Sequence, residues 1–424
     1  MKKLFFLVAA IPFVAMAQTP VNYEVALKDV MPKVIEWRRD LHQNPELSNR
    51  EFKTQEKIVA HLQGLGIEVR KLAKTGVIGV LKGGKPGKVI ALRADMDALP
   101  VKERVDLPFK STVTAEYLGA TVPVMHACGH DAHVAMLMGT ATVLSRLKDD
   151  IKGTVVFVFQ PAEEGPPANE EGGAPLMIKE GALDNPKVDA IFGIHIASYH
   201  PLGKIAYKSE AAMASSDWFT IKVKGKQAHG SSPWLGIDPI AVSSEIINGL
   251  QTIVSRQVDI TKAPAVITVG KINSGVRPNI IPEEAIMEGT IRTLDDAMQK
   301  DIHQRIKNTA QKIAESMGAT AEVIIDTKTL VTYNTPALVE ATVPILKKAI
   351  GDANVVNSRW QTGAEDFSFY RAKCPAFFFF VGAKDPKLKP EELNGHHSPD
   401  FYIDDSRLDV GVKAFCQIIF DLKL

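Results

Sequence analysis

The apolar pattern of this chain changes period, changes back, and so constrains the fold more than any single motif. Residues 34–65 carry helical apolar spacing with a break at Pro45. Apolar runs at 77–81 and 89–92 read as strands joined by a Gly-Lys-Pro-Gly turn. A helical stretch at 132–147 follows, with Val134, Leu137, Met138, Ala141 and Leu144 on its inner face, and then short apolar strands at 155–159 and 190–196. Such alternation predicts an α/β sheet with helices on both faces.

Near residue 213 the order becomes β-α-β-β-α-β: strand 218–223, helix 239–254, strands 265–272 and 284–292, helix 298–317, strand 321–325. That is the order of a ferredoxin-like split unit. The first pattern then returns, with a helix at 337–350, a strand at 376–381 and a last helix at 409–421. Phe377 to Phe380 form an unbroken aromatic run, so that strand is expected to be buried on both faces. One discontinuous α/β domain, residues 18–212 and 328–424, therefore carries an inserted α+β domain at 213–327. A length of 424 residues fits two cores better than one.

The first residues read as an export signal. Lys2 and Lys3 precede a short apolar run, and Ala15-Met16-Ala17 has the small-x-small form of a cleavage site before Gln18. The run is shorter than the roughly 20 residues that span a bilayer, so no membrane association is expected once residues 1–17 are removed. A periplasmic or secreted location follows as an expectation. Export permits disulfides, but there are only three cysteines, Cys128, Cys374 and Cys416. Cys374 and Cys416 are expected as buried free thiols. A formal net charge of +1 without a basic cluster argues against a nucleic-acid partner.

Four segments carry chemistry. His126-Ala127-Cys128-Gly129-His130-Asp131-Ala132-His133 places a thiol and imidazoles two residues apart, a spacing from which both reach one metal centre. Glu163 and Glu164 end an apolar strand. Adjacent carboxylates suit two tasks, metal binding and general base catalysis. Neighbours on a straight strand face opposite ways, so both serve one site only if the chain bends, and Gly165-Pro166-Pro167 is where a bend is expected. His195 ends another apolar strand, and His396 and His397 lie in a Gly/Pro-bounded loop, with Glu365 and Asp366 before the preceding strand. Ligands gather beyond the C-terminal ends of strands in open α/β sheets, which groups these segments.

Together with Arg38-Arg39-Asp40-Leu41-His42, Pro45-Glu46-Leu47, Leu92-Arg93-Ala94-Asp95-Met96-Asp97, Lys226-Gln227-Ala228-His229-Gly230, Asn279-Ile280-Ile281-Pro282, Ala364-Glu365-Asp366-Phe367 and His397-Ser398-Pro399, these motifs resemble the M20 metallopeptidases. The branch is that of N-acyl amino acid amidohydrolases, which includes hippurate hydrolases and plant auxin-conjugate hydrolases. The resemblance implies a two-metal aminopeptidase-like catalytic domain with an inserted lid and dimerisation domain. It implies two divalent ions per subunit, zinc or manganese with cobalt or nickel as further choices, held by Cys128, His130, Glu164, His195 and His397. Glu163 matches the general base that activates the bridging water and later protonates the leaving amine. Asp97 matches a carboxylate that orients ligands. His229 and Asn279 match substrate-facing positions of the inserted domain, and His229 is expected to stabilise the oxyanion. Arg277 is placed near the substrate carboxylate by position alone, and Glu365 near the substrate or behind the metals. The implied reaction is hydrolysis of the amide bond of an N-acyl amino acid by a homodimer or higher homo-oligomer. A dipeptidase or carboxypeptidase of the same superfamily and a non-catalytic exported metal binder are the competing readings.

Overall fold

The computed structural model describes residues 21–389 and 394–423. The expected export signal, residues 1–17, lies outside the described residues. No described helix is long and apolar enough to cross a membrane.

In chain order the first part contains α1 (Glu24–Gln43), α2 (Phe52–Gly64), β1 (Glu68–Leu72), β2 (Gly76–Lys82), β3 (Lys85–Asp95), a small hairpin β4 (Thr114–Tyr117) and β5 (Ala120–Pro123), α3 (His130–Arg146), β6 (Lys152–Gln160), α4 (Gly173–Lys179), β7 (Ala190–Pro201), β8 (Ile205–Tyr207) and β9 (Glu210–Met213). The inserted unit holds β10 (Ser216–Lys224), β11 (Ala228–His229), α5 (Pro239–Thr252), β12 (Ala265–Ser274), β13 (Ile280–Ile281), β14 (Glu284–Thr293), α6 (Asp296–Ser316) and β15 (Thr320–Thr329). The chain then returns through β16 (Thr332–Asn334), α7 (Pro336–Ile350), β17 (Val355–Asn357), β18 (Ala376–Lys384) and α8 (Asp409–Asp421).

The large sheet has the order β1-β2-β6-β3-β7-β18-β8-β17. Its centre, β6-β3-β7-β18, is parallel, while β1, β2 and β8 are joined antiparallel. The expected turn between β2 and β3 is thus not a hairpin: β6 lies between them and pairs with both. Lys85, Pro86 and Gly87 belong to β3 itself, and Gly83–Gly84 make the connection. The apolar core of β6, Val155 to Phe159, is buried on both faces, as in the interior of a covered sheet.

Side-chain alternation sorts β18 between two cores. Phe377 and Phe379 join the core under α1, α3, α7 and α8, with Leu92, Leu137 and Phe415. Phe378 and Phe380 enter the opposite core beside α4 and the 366–372 turn, with Val156, Met177 and Phe367. Burying each such ring is worth about 1.5–3 kcal/mol, so the aromatic run pins β18 in the middle of the sheet. Helix α3 shows no single inner face: every residue from His130 to Leu144 is buried, because α1 and α8 cover the side away from the sheet.

The second sheet has the order β12-β14-β10-β15, antiparallel throughout, with its own core around Phe219, Ile246, Met287, Ile302 and Ile306. Asp238 and Asp295 start α5 and α6 by accepting hydrogen bonds from first-turn backbone N–H groups. This is the sheet order of a ferredoxin-like unit. Cys128, Cys374 and Cys416 are all free and buried.

Candidate metal centre

The four chemistry-bearing segments meet beyond the C-terminal ends of β6, β3 and β18, against the middle of β7. Gly129 caps α3 at φ 95°, and a Cβ there would sit 2.1 Å from Ile196 Cγ2. Only glycine lets this loop lie against β7. Cys128 Sγ consequently lies 3.4 Å from His195 Nε2 and 3.6 Å from His396 Nδ1.

His130 opens α3 and is fully buried. Its Nδ1 donates to the Asp97 carbonyl oxygen at 2.9 Å and lies 3.3 Å from the Asp97 carboxylate. Nε2 is left aimed inward, 4.0 Å from both Glu163 Oε2 and Glu164 Oε1, with no hydrogen-bond partner. His195 is held in the same way, Nδ1 donating to the Ile196 carbonyl at 2.6 Å and Nε2 facing Cys128. Tying one ring nitrogen and freeing the other is how proteins prepare imidazole for a metal.

Both Glu163 and Glu164 do face the site. The bend that permits it lies earlier than expected, at Ala162, whose φ is 54°. The Asp97 carboxylate accepts from the Glu163 and Glu164 backbone N–H groups, each at 3.1 Å, and from the Ser48 hydroxyl at 2.7 Å. The Glu51 carboxyl accepts from the Ala162 N–H at 2.9 Å. His397, held by its N–H on the Ala127 carbonyl, brings Nε2 to 3.0 Å from Glu164 Oε1. Its neighbour His396 has both ring nitrogens engaged, Nδ1 with the Cys128 carbonyl and Nε2 with the Ser198 N–H. His133 is also fully used, donating from Nδ1 to Asp95 at 2.5 Å and accepting at Nε2 from the Ile196 N–H.

Donor atoms of Cys128, Glu164 and His397 lie within 4.8 Å of one another, as do those of His130, Glu163 and Glu164, and those of Cys128, His195 and His396. His130 Nε2 is buried without a hydrogen-bond partner, and Glu164 Oε1 has the His397 ring at 3.0 Å. Thiolate, imidazole and carboxylate around an orphaned buried imidazole nitrogen are a donor set that fits divalent metal ions. The electrostatics agree. Burial and the carboxylates of Glu164, Glu163 and Asp95 push the Cys128 thiol well above its ordinary range. Burial opposes charge on His130, but Asp95 and Asp97 outweigh it and raise the imidazole to about 10. Metal uptake at such a site displaces protons.

Behind the donors lies an ionic layer in which sequence reasoning placed Glu365 but not its centre, Arg93. Arg93, fully buried, donates to Asp95 at 2.5 Å, Glu365 at 2.8 Å, Asp366 at 3.0 Å and Gln160 at 2.9 Å. Burial works against ionised Asp95, yet Arg93, His130 and His133 hold it well below the usual carboxylate range. Burial, then Glu365, Glu164 and Asp366, push Glu163 well above that range. Glu365 therefore sits behind Glu163, bound to Arg93 and to the Phe367 N–H. The hints in the sequence were Arg93 within the apolar run of a strand and the Glu365-Asp366 pair.

The remaining expected residues lie on the second unit. His229 is exposed on β11, its Nδ1 accepting from the Ser231 N–H at 3.1 Å. The Asn279 carbonyl accepts from the Gly230 N–H at 2.9 Å. Arg277 is exposed. Among the described residues, none of the three forms a hydrogen bond or ion pair with the donor cluster.

An open mixed sheet with a parallel centre and a two-metal donor cluster at its strand ends defines the class, a dinuclear metallohydrolase. The profile of the Peptidase family M20/M25/M40 matches residues 91–421. Thermostable carboxypeptidase 2 of Saccharolobus solfataricus is 41% identical over 391 residues, 92% of this chain and 95% of its own. The N-acyl-L-amino acid amidohydrolase of Geobacillus stearothermophilus is 41% identical over 299 residues, 70% of this chain and 77% of its own. The Bacillus subtilis YXEP protein, described as a dinuclear metal binding peptidase from the M20 family, superposes with a TM-score of 0.77 at 35% identity, covering 93% of this chain and 98% of the other. The chain belongs to the peptidase M20 family. It is a metal-dependent hydrolase of C–N bonds with a site for two metal ions.

Proposed function

We propose that the chain is an N-acyl-L-amino acid amidohydrolase, releasing a carboxylic acid and a free amino acid. The observation that carries this is Glu163: a carboxyl largely withdrawn from solvent that faces the donor cluster, 4.0 Å from His130 Nε2, and stands outside the five residues that would hold the ions. A protein that only stored metal would have no use for it. The relative named N-acyl-L-amino acid amidohydrolase supports the substrate class.

Cys128, His130, Glu164, His195 and His397 hold the two ions in this proposal. The Cys128 thiolate favours zinc, with manganese, cobalt or nickel also compatible with the mixed donors. When bound, the ions supply Lewis acidity toward the scissile carbonyl and acidify the attacking water. Glu163 takes the proton as the water oxygen attacks the carbonyl carbon, then gives it to the amide nitrogen as the C–N bond breaks. Asp97 keeps Glu163, Glu164 and His130 in register throughout. His229 donates to the oxyanion after the inserted unit closes or from a partner copy in a homodimer. Asn279 and Arg277 bind the substrate carboxylate. The Lys2-Lys3 signal sends the protein to the periplasm or outside the cell.

A carboxypeptidase or dipeptidase is the second reading, favoured by the relative named thermostable carboxypeptidase 2. Amino-acid release from N-benzoyl, N-acetyl and N-indolylacetyl amino acids and from dipeptides, by metal-loaded and chelator-treated protein, separates the two. Metal-dependent release from the N-acyl compounds is expected. Cleavage of dipeptides alone would move the chain to the second reading.

A further inference from the structure

Three consecutive backbone N–H groups at the end of β6 are each taken by a side-chain carboxyl. Asp97 accepts from Glu163 and Glu164, and Glu51 accepts from Ala162 at 2.9 Å. Ala162 is the residue that bends, at φ 54°, a conformation an alanine resists. Without that bend Glu163 and Glu164 would point to opposite faces of the strand, and one of them would leave the site.

Glu51 itself is held at the start of α2. Its second oxygen bonds the Thr75 hydroxyl at 2.6 Å, and the residue is 0% exposed. It forms no ion pair among the described residues. A buried carboxyl without a cation is costly unless its hydrogen bonds are specific. Here one bond closes a turn and the other fixes the left-handed residue just before the proposed base.

We infer that Glu51 is a positioning residue for the reaction: it holds Ala162 in the bend that aims Glu163 at the water, while Asp97 and His397 keep Glu164 in place. The inference rests on the proposed reading of Glu163 as the base.

The test is steady-state kinetics and metal content of metal-loaded full-length enzyme on an N-benzoyl amino acid. Glu51→Ala removes the acceptor, and kcat should fall about 10- to 100-fold, the effect of roughly an ångström of misplacement, with KM within about twofold and two metals per chain retained. Adding Ala162→Gly makes the bend free of strain, so the double variant should recover most of that loss. A merely structural role would not be rescued this way. Glu51→Gln keeps an acceptor for Ala162 and should lose far less than Glu51→Ala. Should Glu51→Ala fail to fold, Glu51→Leu removes the acceptor while keeping the volume and must show the same kcat loss. A kcat close to wild type in the acceptor-free variants, or a loss that Ala162→Gly leaves untouched, overturns the inference. Glu163→Gln serves as reference: if it is inactive while Glu51→Ala is not, only the Glu51 inference fails. If Glu163→Gln is fully active, the base assignment fails as well.

Discussion

Asp97 shows how one residue can organise a centre it does not itself occupy. Its carbonyl orients His130 and its carboxylate holds the Glu163–Glu164 turn, so three groups of the site depend on one residue just beyond β3. Cys128, like Glu164, is a donor shared between two of the candidate clusters. Cys128→Ser should lower the metal content toward one ion per chain, measured by elemental analysis after dialysis, and an unchanged content would remove Cys128 from the ligand set. Glu51 adds a pH signature. Burial and the nearby Asp97 charge raise its carboxyl to about 8, against about 4.3 in an unfolded chain. Between those values the folded state keeps a proton that the unfolded state has released, so this group costs stability as pH rises toward 8. Glu51→Gln is free of that loss. Its melting temperature relative to wild type should climb from pH 5 to pH 8 and level off above. A difference independent of pH would refute the shift. The donors themselves were legible because thiol, imidazole and paired carboxylates are unusual company within a few residues. Arg93 and Glu51 were not: Arg93 meets Glu365 across 272 positions and Glu51 meets Ala162 across 111, and nothing local marks either pairing.

At the scale of elements, the loop 126–129 and helix α3 act as one piece. Gly129 allows the loop to touch Ile196, and α3, buried on all sides, cannot shift to relieve a clash. Gly129→Ala adds a Cβ at 2.1 Å from Ile196 Cγ2 in a left-handed conformation. It should destabilise by about 1–3 kcal/mol, read as a lowered denaturation midpoint, and should weaken metal retention because Cys128 moves with it. Full stability would mean that the loop has room to spare. The strands themselves could be read from their apolar runs, and α8 from its spacing. Their neighbours could not. That β6 lies between β2 and β3 is a long-range pairing that the local Gly-Lys-Pro-Gly signal misrepresents. The bend at Ala162 escaped for a similar reason, since its left-handed backbone is held by carboxyls distant in sequence rather than by Gly165 and the prolines.

For the whole molecule, the chain leaves the large sheet along β9 and returns along β16, and these two strands pair with each other. The unit carrying His229, Asn279 and Arg277 is thus joined to the metal centre by a two-stranded ribbon, with Arg371 and Asp296 forming an ion pair across the junction at 2.6 Å. The change of sequence period disclosed this insertion, because each unit keeps its own apolar rhythm. That its exposed residues form no hydrogen bond or ion pair with the donor cluster among the described residues was invisible, since no period encodes the relation between two cores. In the proposed mechanism His229 acts only on the oxyanion. His229→Ala should therefore lower kcat about 10²–10³-fold while two metals remain bound and the melting curve is unchanged. Loss of metal in this variant would assign it another role.

The most direct test of the account combines two numbers on one sample: metal ions per chain and the rate of amino-acid release from N-acyl amino acids, for wild type and Glu163→Gln. The account predicts two ions in both proteins, a rate in the wild type that chelation abolishes, and a rate in the variant lower by orders of magnitude. A variant that keeps both its metals and its full rate would contradict it.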